Sequence, residues 1–194
     1  MVRIPGELSV DDQAYGVGVR VFEDFLPEAL LQAAQKDSEE LYTRGNTFWT
    51  NRGFPPHLIQ QSTIMMITHI QNELINKGVK REVNKKISDV GYENFSVDNN
   101  ADNKTALYQI WPAGSYIPWH DDGAHIAGLT IYLSDHGTDD GGYFMYDDGK
   151  GIKAVKPKPN RAVLQTGGLY HTVTTVNMGA PARRTIQVWF HIDK

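Results

Sequence analysis

The sequence predicts a mainly β fold, a sandwich or barrel of short strands, with helices contributed by its N-terminal half. Three observations lead there. From about Lys104 the apolar runs ALYQIW, GLTIYL, GYFMY, AVLQT, HTVTTV and RTIQVWFH recur between Gly, Pro, Asp and Asn residues, and evenly spaced short strands of this kind build sandwiches and barrels. Before about residue 100, apolar side chains recur instead at spacings of three and four, the helical period. Finally, 194 residues with 40% hydrophobic and 22% charged content suffice for one sizeable core and are few for two. The expectation is a single domain over 1–194, with 1–100 a mostly helical support region and 104–191 the β core.

Taken in order, Pro27 suits a first helical position, where its missing N–H is not needed. Leu30, Leu31, Ala34 and Leu41 then place an apolar stripe on a helix running to about Tyr42, with Gly45 as its stop. A second helix is expected after Pro55 and Pro56, carrying Ile64, Ile67, Ile70 and Leu74, with Gly78 as the left-handed residue past its end. A short third helix covers Val79 to Asp89. The polar stretch VDNNADNK, 97–104, joins the halves, and the chain has no internal repeat or low-complexity tract.

Composition excludes several chemistries. The chain has no cysteine, so disulfides, thiolate catalysis, iron–sulfur clusters and sulfur-bound zinc are impossible, and any metal must sit on His, carboxylate or carbonyl ligands. A formal net charge of -4 argues against nucleic-acid binding through global positive charge. The start, MVRIPGELSVDDQAYG, lacks the basic-then-apolar order of a secretory signal, and no apolar run approaches membrane-spanning length. A soluble, cytoplasmic protein without membrane contact is expected.

His120 and Asp122 stand two apart, and residues i and i+2 of an extended strand share a face, so both can reach one ion. His171, roughly 50 residues on at the head of His171, Val173 and Thr175, is the third candidate ligand. Two imidazoles and a carboxylate on one face of an octahedral ion leave positions open, as in non-heme Fe(II) oxygenases. The other histidines, His57, His69, His125, His136 and His191, lack such a pattern; His125 is the reserve ligand.

Arg183 opens the last strand, and its planar guanidinium can take a carboxylate bidentately, as Lys cannot. Strand alternation puts Thr185, Gln187 and Trp189 on its face and Ile186, Val188 and Phe190 on the other. The first set is expected to line a pocket, with Thr185 beside Arg183 at a bound co-substrate. Arg184 is aimed away.

Together WHDD at 119–122, GGYFMY at 141–146, YHTV at 170–173 and RRTIQVWF at 183–190 resemble the Fe(II)- and 2-oxoglutarate-dependent dioxygenases, nearest in style to the prolyl 4-hydroxylase-like branch. The resemblance covers roughly 104–191 and, more loosely, VFEDFLPEAL at 21–30. It implies a double-stranded β-helix, or jelly roll, of two facing sheets with helices over one outer face. It also implies Fe(II) at His120, Asp122 and His171, with 2-oxoglutarate and O2 as co-substrates and Arg183 pairing with the far carboxylate of 2-oxoglutarate. Tyr132 falls where the family places a tyrosine that supports that carboxylate. Trp111 stands where the family often has another tyrosine, so Tyr108 or Gln109 is left to supply a polar group.

The implied reaction hydroxylates an unactivated C–H bond, with a prolyl residue of a peptide or protein as the first substrate and a free amino acid or small metabolite as the next. Nucleic-acid demethylation is disfavoured, because the related repair enzymes carry a second arginine where this chain has Trp189. The competing expectation is a non-catalytic jelly roll that binds a sugar or protein partner; a third is a metal enzyme that dispenses with 2-oxoglutarate. Elsewhere, SDHGTDDGGY lacks the spacing of a calcium loop, and the lysines from Lys150 to Lys158 with Arg161 suit a solvated hairpin. Phe48, Trp49 and Phe54 beside Arg52 are candidates for a substrate groove.

Overall fold

The computed structural model describes residues 18–44, 66–88, 106–122, 127–166 and 168–190. Its elements run β1 (Gly18–Phe22), α1 (Glu28–Thr43), β2 (Met66–His69), α2 (Glu73–Ser88), β3 (Ala106–Trp111), β4 (Ile117–His120), β5 (Ala127–Tyr132), β6 (Phe144–Asp147), β7 (Ile152–Val155), β8 (Ala162–Thr166), β9 (His171–Val173) and β10 (Arg183–Phe190). They form a six-stranded sheet in the order β1-β8-β5-β10-β3-β2 and a four-stranded sheet in the order β4-β9-β6-β7. Every pairing in both is antiparallel.

Alternation divides the labour of the central strands. Leu129 and Ile131 of β5, Leu164 of β8, Ile186, Val188 and Phe190 of β10 and Tyr108 of β3 pack in one cluster with Leu31 and Ala34 of α1 and Val79, Val83 and Ile87 of α2. The intervening residues face the smaller sheet. There Tyr132 and Val163 meet Phe144, Tyr146 and Val155, and Trp111 meets Ile117 and Val173. Two facing sheets with helices on one outer side make the expected jelly roll.

Pro27 stands at the cap of α1, one residue before its start, and its carbonyl accepts from Leu30 and Leu31 N–H. Arg184 fastens the helix to β10. Its guanidinium donates to the Gln35 carbonyl at 2.8 Å and Ser38 Oγ at 3.1 Å, and pairs with Glu39 at 3.0 Å. The turn into α1 is held by buried Asn160, whose Oδ1 accepts from Leu26 N–H at 2.6 Å while its Nδ2 donates to the Leu26 carbonyl at 2.8 Å. Asn160 has φ 64°, a conformation asparagine tolerates better than most residues.

The expected second helix is corrected. Ile67 lies in strand β2, which pairs with β3 from Met66↔Ile110 to His69↔Leu107, while Leu74 on α2 is 82% exposed. Short apolar runs cannot be told apart by period alone, and here β3 offered an edge to pair with. The helix begins after Asn72, whose Oδ1 accepts from Leu74 and Ile75 N–H at 3.1 and 3.4 Å, a capping arrangement. Gly78 is inside this helix. A Cβ there would sit 3.0 Å from a Leu30 methyl, so the glycine lets α1 and α2 cross closely. The helix expected from Val79 is the continuation of α2, and β1 and β2, from the same N-terminal half, form the two edges of the larger sheet.

Candidate metal centre

His120 ends β4 and His171 opens β9, and the two are register partners across that pair. Their ring centroids are 4.3 Å apart. Trp119 of β4 and Tyr170, the residue just before β9, stack on one another with centroids 5.4 Å apart. Asp122 lies just past the end of β4. Its Oδ1 is 3.7 Å from His120 Nε2 and its Oδ2 3.6 Å from His171 Nε2. One candidate ligand atom from each of the three lies within 4.8 Å of the others.

Each imidazole is oriented by its own strand. His120 Nδ1 lies 2.8 Å from the Pro118 carbonyl and His171 Nδ1 2.8 Å from the Leu169 carbonyl. A carbonyl can only accept, so each Nδ1 carries the proton and each Nε2 turns a lone pair toward Asp122. Burial lowers the pKa of His171 to about 4. Burial, then the neighbouring His171, lowers that of His120 as well. Burial pushes the Asp122 carboxyl up to about 6, against the pull of His120. At neutral pH the cluster therefore offers two neutral nitrogens and a carboxylate, a donor set suited to a divalent first-row metal.

The cluster opens on a cleft between the sheets, lined also by Gln109, Trp111, Thr130, Phe144, Gln165, Arg183, Gln187 and Trp189. Arg183 is 2% exposed. Its guanidinium carbon lies 5.0 Å from the Tyr132 ring centroid and 5.4 Å from that of Trp111. Gly142, with φ 69°, leaves room for its stem, because a Cβ there would lie 2.9 Å from Arg183 Cδ. Burial lowers the pKa of Arg183, yet a guanidinium keeps its charge in proteins. No ion pair among the described residues involves it, and its Nε has no hydrogen-bond partner. A buried cation without a counter-anion costs several kcal/mol, roughly. The fold tolerates that cost beside a cleft that an anionic ligand can enter.

The remaining candidates separate. Tyr132 is fully buried, with its hydroxyl beside the Arg183 guanidinium. Burial raises its pKa while the guanidinium charge opposes that. Thr185 shares the face of Arg183 but donates its hydroxyl to the Gln109 carbonyl at 3.2 Å. Gln109 and Trp111 line the cleft, whereas Tyr108 belongs to the cluster under the helices. His136 is buried, and burial together with the Arg183 charge lowers its pKa; His69 is exposed. His57, His125, His191, Phe48, Trp49, Arg52 and Phe54 lie outside the described residues.

Sequence reasoning placed Gln187 on the pocket face, where it lines the cleft, but passed over Gln165. Gln165 Nε2 donates to Asp122 Oδ2 at 2.6 Å and lies 3.4 Å from His171 Nε2. Gln187 accepts from the Thr130 hydroxyl at 2.6 Å. For Gln165 the available signal was a lone amide in the apolar run AVLQT, on the face pointing away from the helices.

A jelly roll whose cleft joins two imidazoles and a carboxylate to a buried, anion-seeking arginine defines a class of metal-dependent oxygenases. The family model described as 2OG-Fe(II) oxygenase superfamily matches residues 105–191, and that match, with the His120–Asp122–His171 cluster, supports a dioxygenase that uses Fe(II), 2-oxoglutarate and O2. No curated protein matches it. Among solved structures, a Pseudomonas putida prolyl-4-hydroxylase superimposes with TM-score 0.69 at 16% identity, over 95% of this chain and 97% of that one. A Trichoplax adhaerens prolyl hydroxylase, solved in complex with a hypoxia inducible factor oxygen degradation domain peptide fragment, does so with TM-score 0.70 at 16% identity, over 90% and 83%. A viral collagen prolyl hydroxylase from Paramecium Bursaria Chlorella virus-1, solved as a 2OG complex, gives TM-score 0.65 at 13% identity, over 96% and 100%. The chain shares its fold with these three prolyl hydroxylases. No helix among the described residues is long and apolar enough to cross a membrane.

Proposed function

We propose that this enzyme hydroxylates an unactivated C–H bond of a prolyl residue in a peptide or protein, with Fe(II) held by His120, Asp122 and His171 and 2-oxoglutarate held by Arg183. The observation that carries this assignment is the buried Arg183 without a counter-anion, in the same cleft as the three converging donors. The prolyl substrate draws its support from the shared fold of several prolyl hydroxylases, one of them solved with a peptide.

The side chains divide the work. His120 and His171 present Nε2 because their Nδ1–H groups are spent on backbone carbonyls, and Asp122 brings the negative charge that offsets part of a divalent ion's charge. Arg183 forms the charge-assisted pair with the 5-carboxylate of 2-oxoglutarate, and the Tyr132 hydroxyl adjoins that end. Trp111, Phe144 and Trp189 wall the cleft and exclude water from a reactive centre. When bound, Fe(II) supplies the redox and oxygen chemistry that protein side chains lack. Overall, one oxygen atom of O2 enters the substrate as hydroxyl and the other enters succinate, as 2-oxoglutarate loses carbon dioxide.

The test is succinate formation with Fe(II) and 2-oxoglutarate across a panel of proline-containing peptides, matched peptides with alanine at that position, and free amino acids. Proline-dependent succinate and a peptide heavier by one oxygen are expected. They should vanish in His120→Ala and Asp122→Ala and require far more 2-oxoglutarate in Arg183→Ala. Stimulation by a free amino acid alone would replace the prolyl assignment with a small-metabolite one. Absence of both succinate and a weak visible charge-transfer band with anaerobic Fe(II) and 2-oxoglutarate would favour a binding module.

A further inference from the structure

We infer that Gln165 is a positioning residue for the metal centre: its amide N–H holds Asp122 Oδ2 and thereby presents Oδ1 to the ion. The inference rests on the proposal that His120, Asp122 and His171 bind the metal, and it adds a residue that makes no bond to the metal.

Gln165 lies on β8 opposite Gly128 of β5, on the same face as Val163, which packs with Tyr132, Phe144 and Tyr146. That environment favours an apolar side chain, yet the position holds an amide that is 7% exposed. Burying an amide is costly unless its hydrogen bonds are made. Here the partner is Asp122 Oδ2 at 2.6 Å. The orientation of the amide follows from chemistry: a carboxylate only accepts, and His171 Nε2, 3.4 Å away, also accepts because its Nδ1–H is committed to Leu169. The NH2 end must therefore face both.

Asp122 lies beyond the end of β4, and a carboxylate, which only accepts, cannot be oriented by a backbone carbonyl as the Nδ1–H groups of His120 and His171 are. Gln165 supplies that restraint from a central strand of the other sheet. With Oδ2 engaged, Oδ1, which faces His120 Nε2 at 3.7 Å, is the oxygen left for the ion. Hydrogen bonds to metal-ligating carboxylates tune affinity, and their loss costs about 10- to 100-fold.

The test compares wild type, Gln165→Met, Gln165→Leu and Asp122→Ala by anaerobic titration with Co(II), with no 2-oxoglutarate or substrate present. Met keeps the length and flexibility of Gln without the donor, and Leu provides a second variant should Met pack poorly. Expected are a Kd for Co(II) raised about 10- to 100-fold in the Gln165 variants, an altered visible spectrum of the Co(II) form, and metal-free melting temperatures no lower than wild type. Wild-type affinity and spectrum in both Gln165 variants, with metal binding lost in Asp122→Ala, would overturn the role of Gln165 alone. Full Co(II) binding by Asp122→Ala would instead overturn the metal centre itself.

Discussion

His120 and His171 are direct partners across the β4–β9 pair, each with its Nδ1 2.8 Å from the carbonyl two residues before it. The two strands thus repeat one device, in which a carbonyl selects the tautomer and the tautomer aims Nε2 at Asp122. Both imidazoles are positioned by backbone, the most rigid support a fold offers.

The buried cation yields the sharpest prediction. Arg183→Met removes a charge that has no ion-pair partner among the described residues, so the ligand-free protein should be as stable as wild type or more stable by about 1–4 kcal/mol. Binding of 2-oxoglutarate should weaken by about 2–5 kcal/mol, the usual cost of truncating a buried charge pair, which is about 30-fold at least. Thermal melting with and without 2-oxoglutarate checks both halves; a large loss of ligand-free stability would mean that the guanidinium is part of the structural core.

Gly128 sets the shape of the cleft floor. A Cβ there would lie 2.9 Å from Trp189 Cζ3 and 3.1 Å from Gln187 Nε2. Gly128→Ala should force the indole aside at a cost of about 1–3 kcal/mol and change substrate KM. Urea unfolding and peptide kinetics measure the two effects, and wild-type values in both would show that Trp189 moves freely.

Asn160 joins the turn before α1 to the strand region through two side-chain bonds to Leu26 and a backbone bond to Phe25 N–H. Asn160→Ala loses both side-chain bonds and keeps a strained positive φ, so a loss of about 2–4 kcal/mol in urea unfolding is expected.

Asp148 carries a pH signature. Lys153, 2.8 Å away, and the Lys150 N–H hold its carboxyl below the usual value of 3.8. A depressed carboxyl pKa gives stability that is present above the unfolded-state value and lost as pH falls through the folded one. The melting temperature of Asp148→Asn should therefore trail wild type at neutral pH, and the gap should close only as pH drops below 3.8. A gap that persists unchanged in strong acid would locate the effect in something other than charge.

The β architecture was legible because the strand runs of the second half alternate cleanly. On β10, Ile186, Val188 and Phe190 go under the helices and Arg183, Gln187 and Trp189 into the cleft, as period two requires. The stretch around Ile67 was misassigned because an apolar run of four residues satisfies either period, and only an available edge on β3 decided it. Gly78 was mistaken for a helix end because a glycine needed for close helix packing looks, in sequence, like one needed for a turn.

By itself, the sequence determined which chemistry was available. With no thiol in the chain, His120, Asp122, His171 and Arg183 were the candidate groups for a metal and an anion, and a spacing of two let the first pair reach one ion. Only the tertiary structure decided that His171 meets His120 in register, that Trp111 and Gln109 rather than Tyr108 line the cleft, and that Gln165 reaches Asp122 from the opposite sheet. The reason is physical: side-chain direction within a strand is local, whereas strand pairing and sheet facing are set by burial summed over the whole chain.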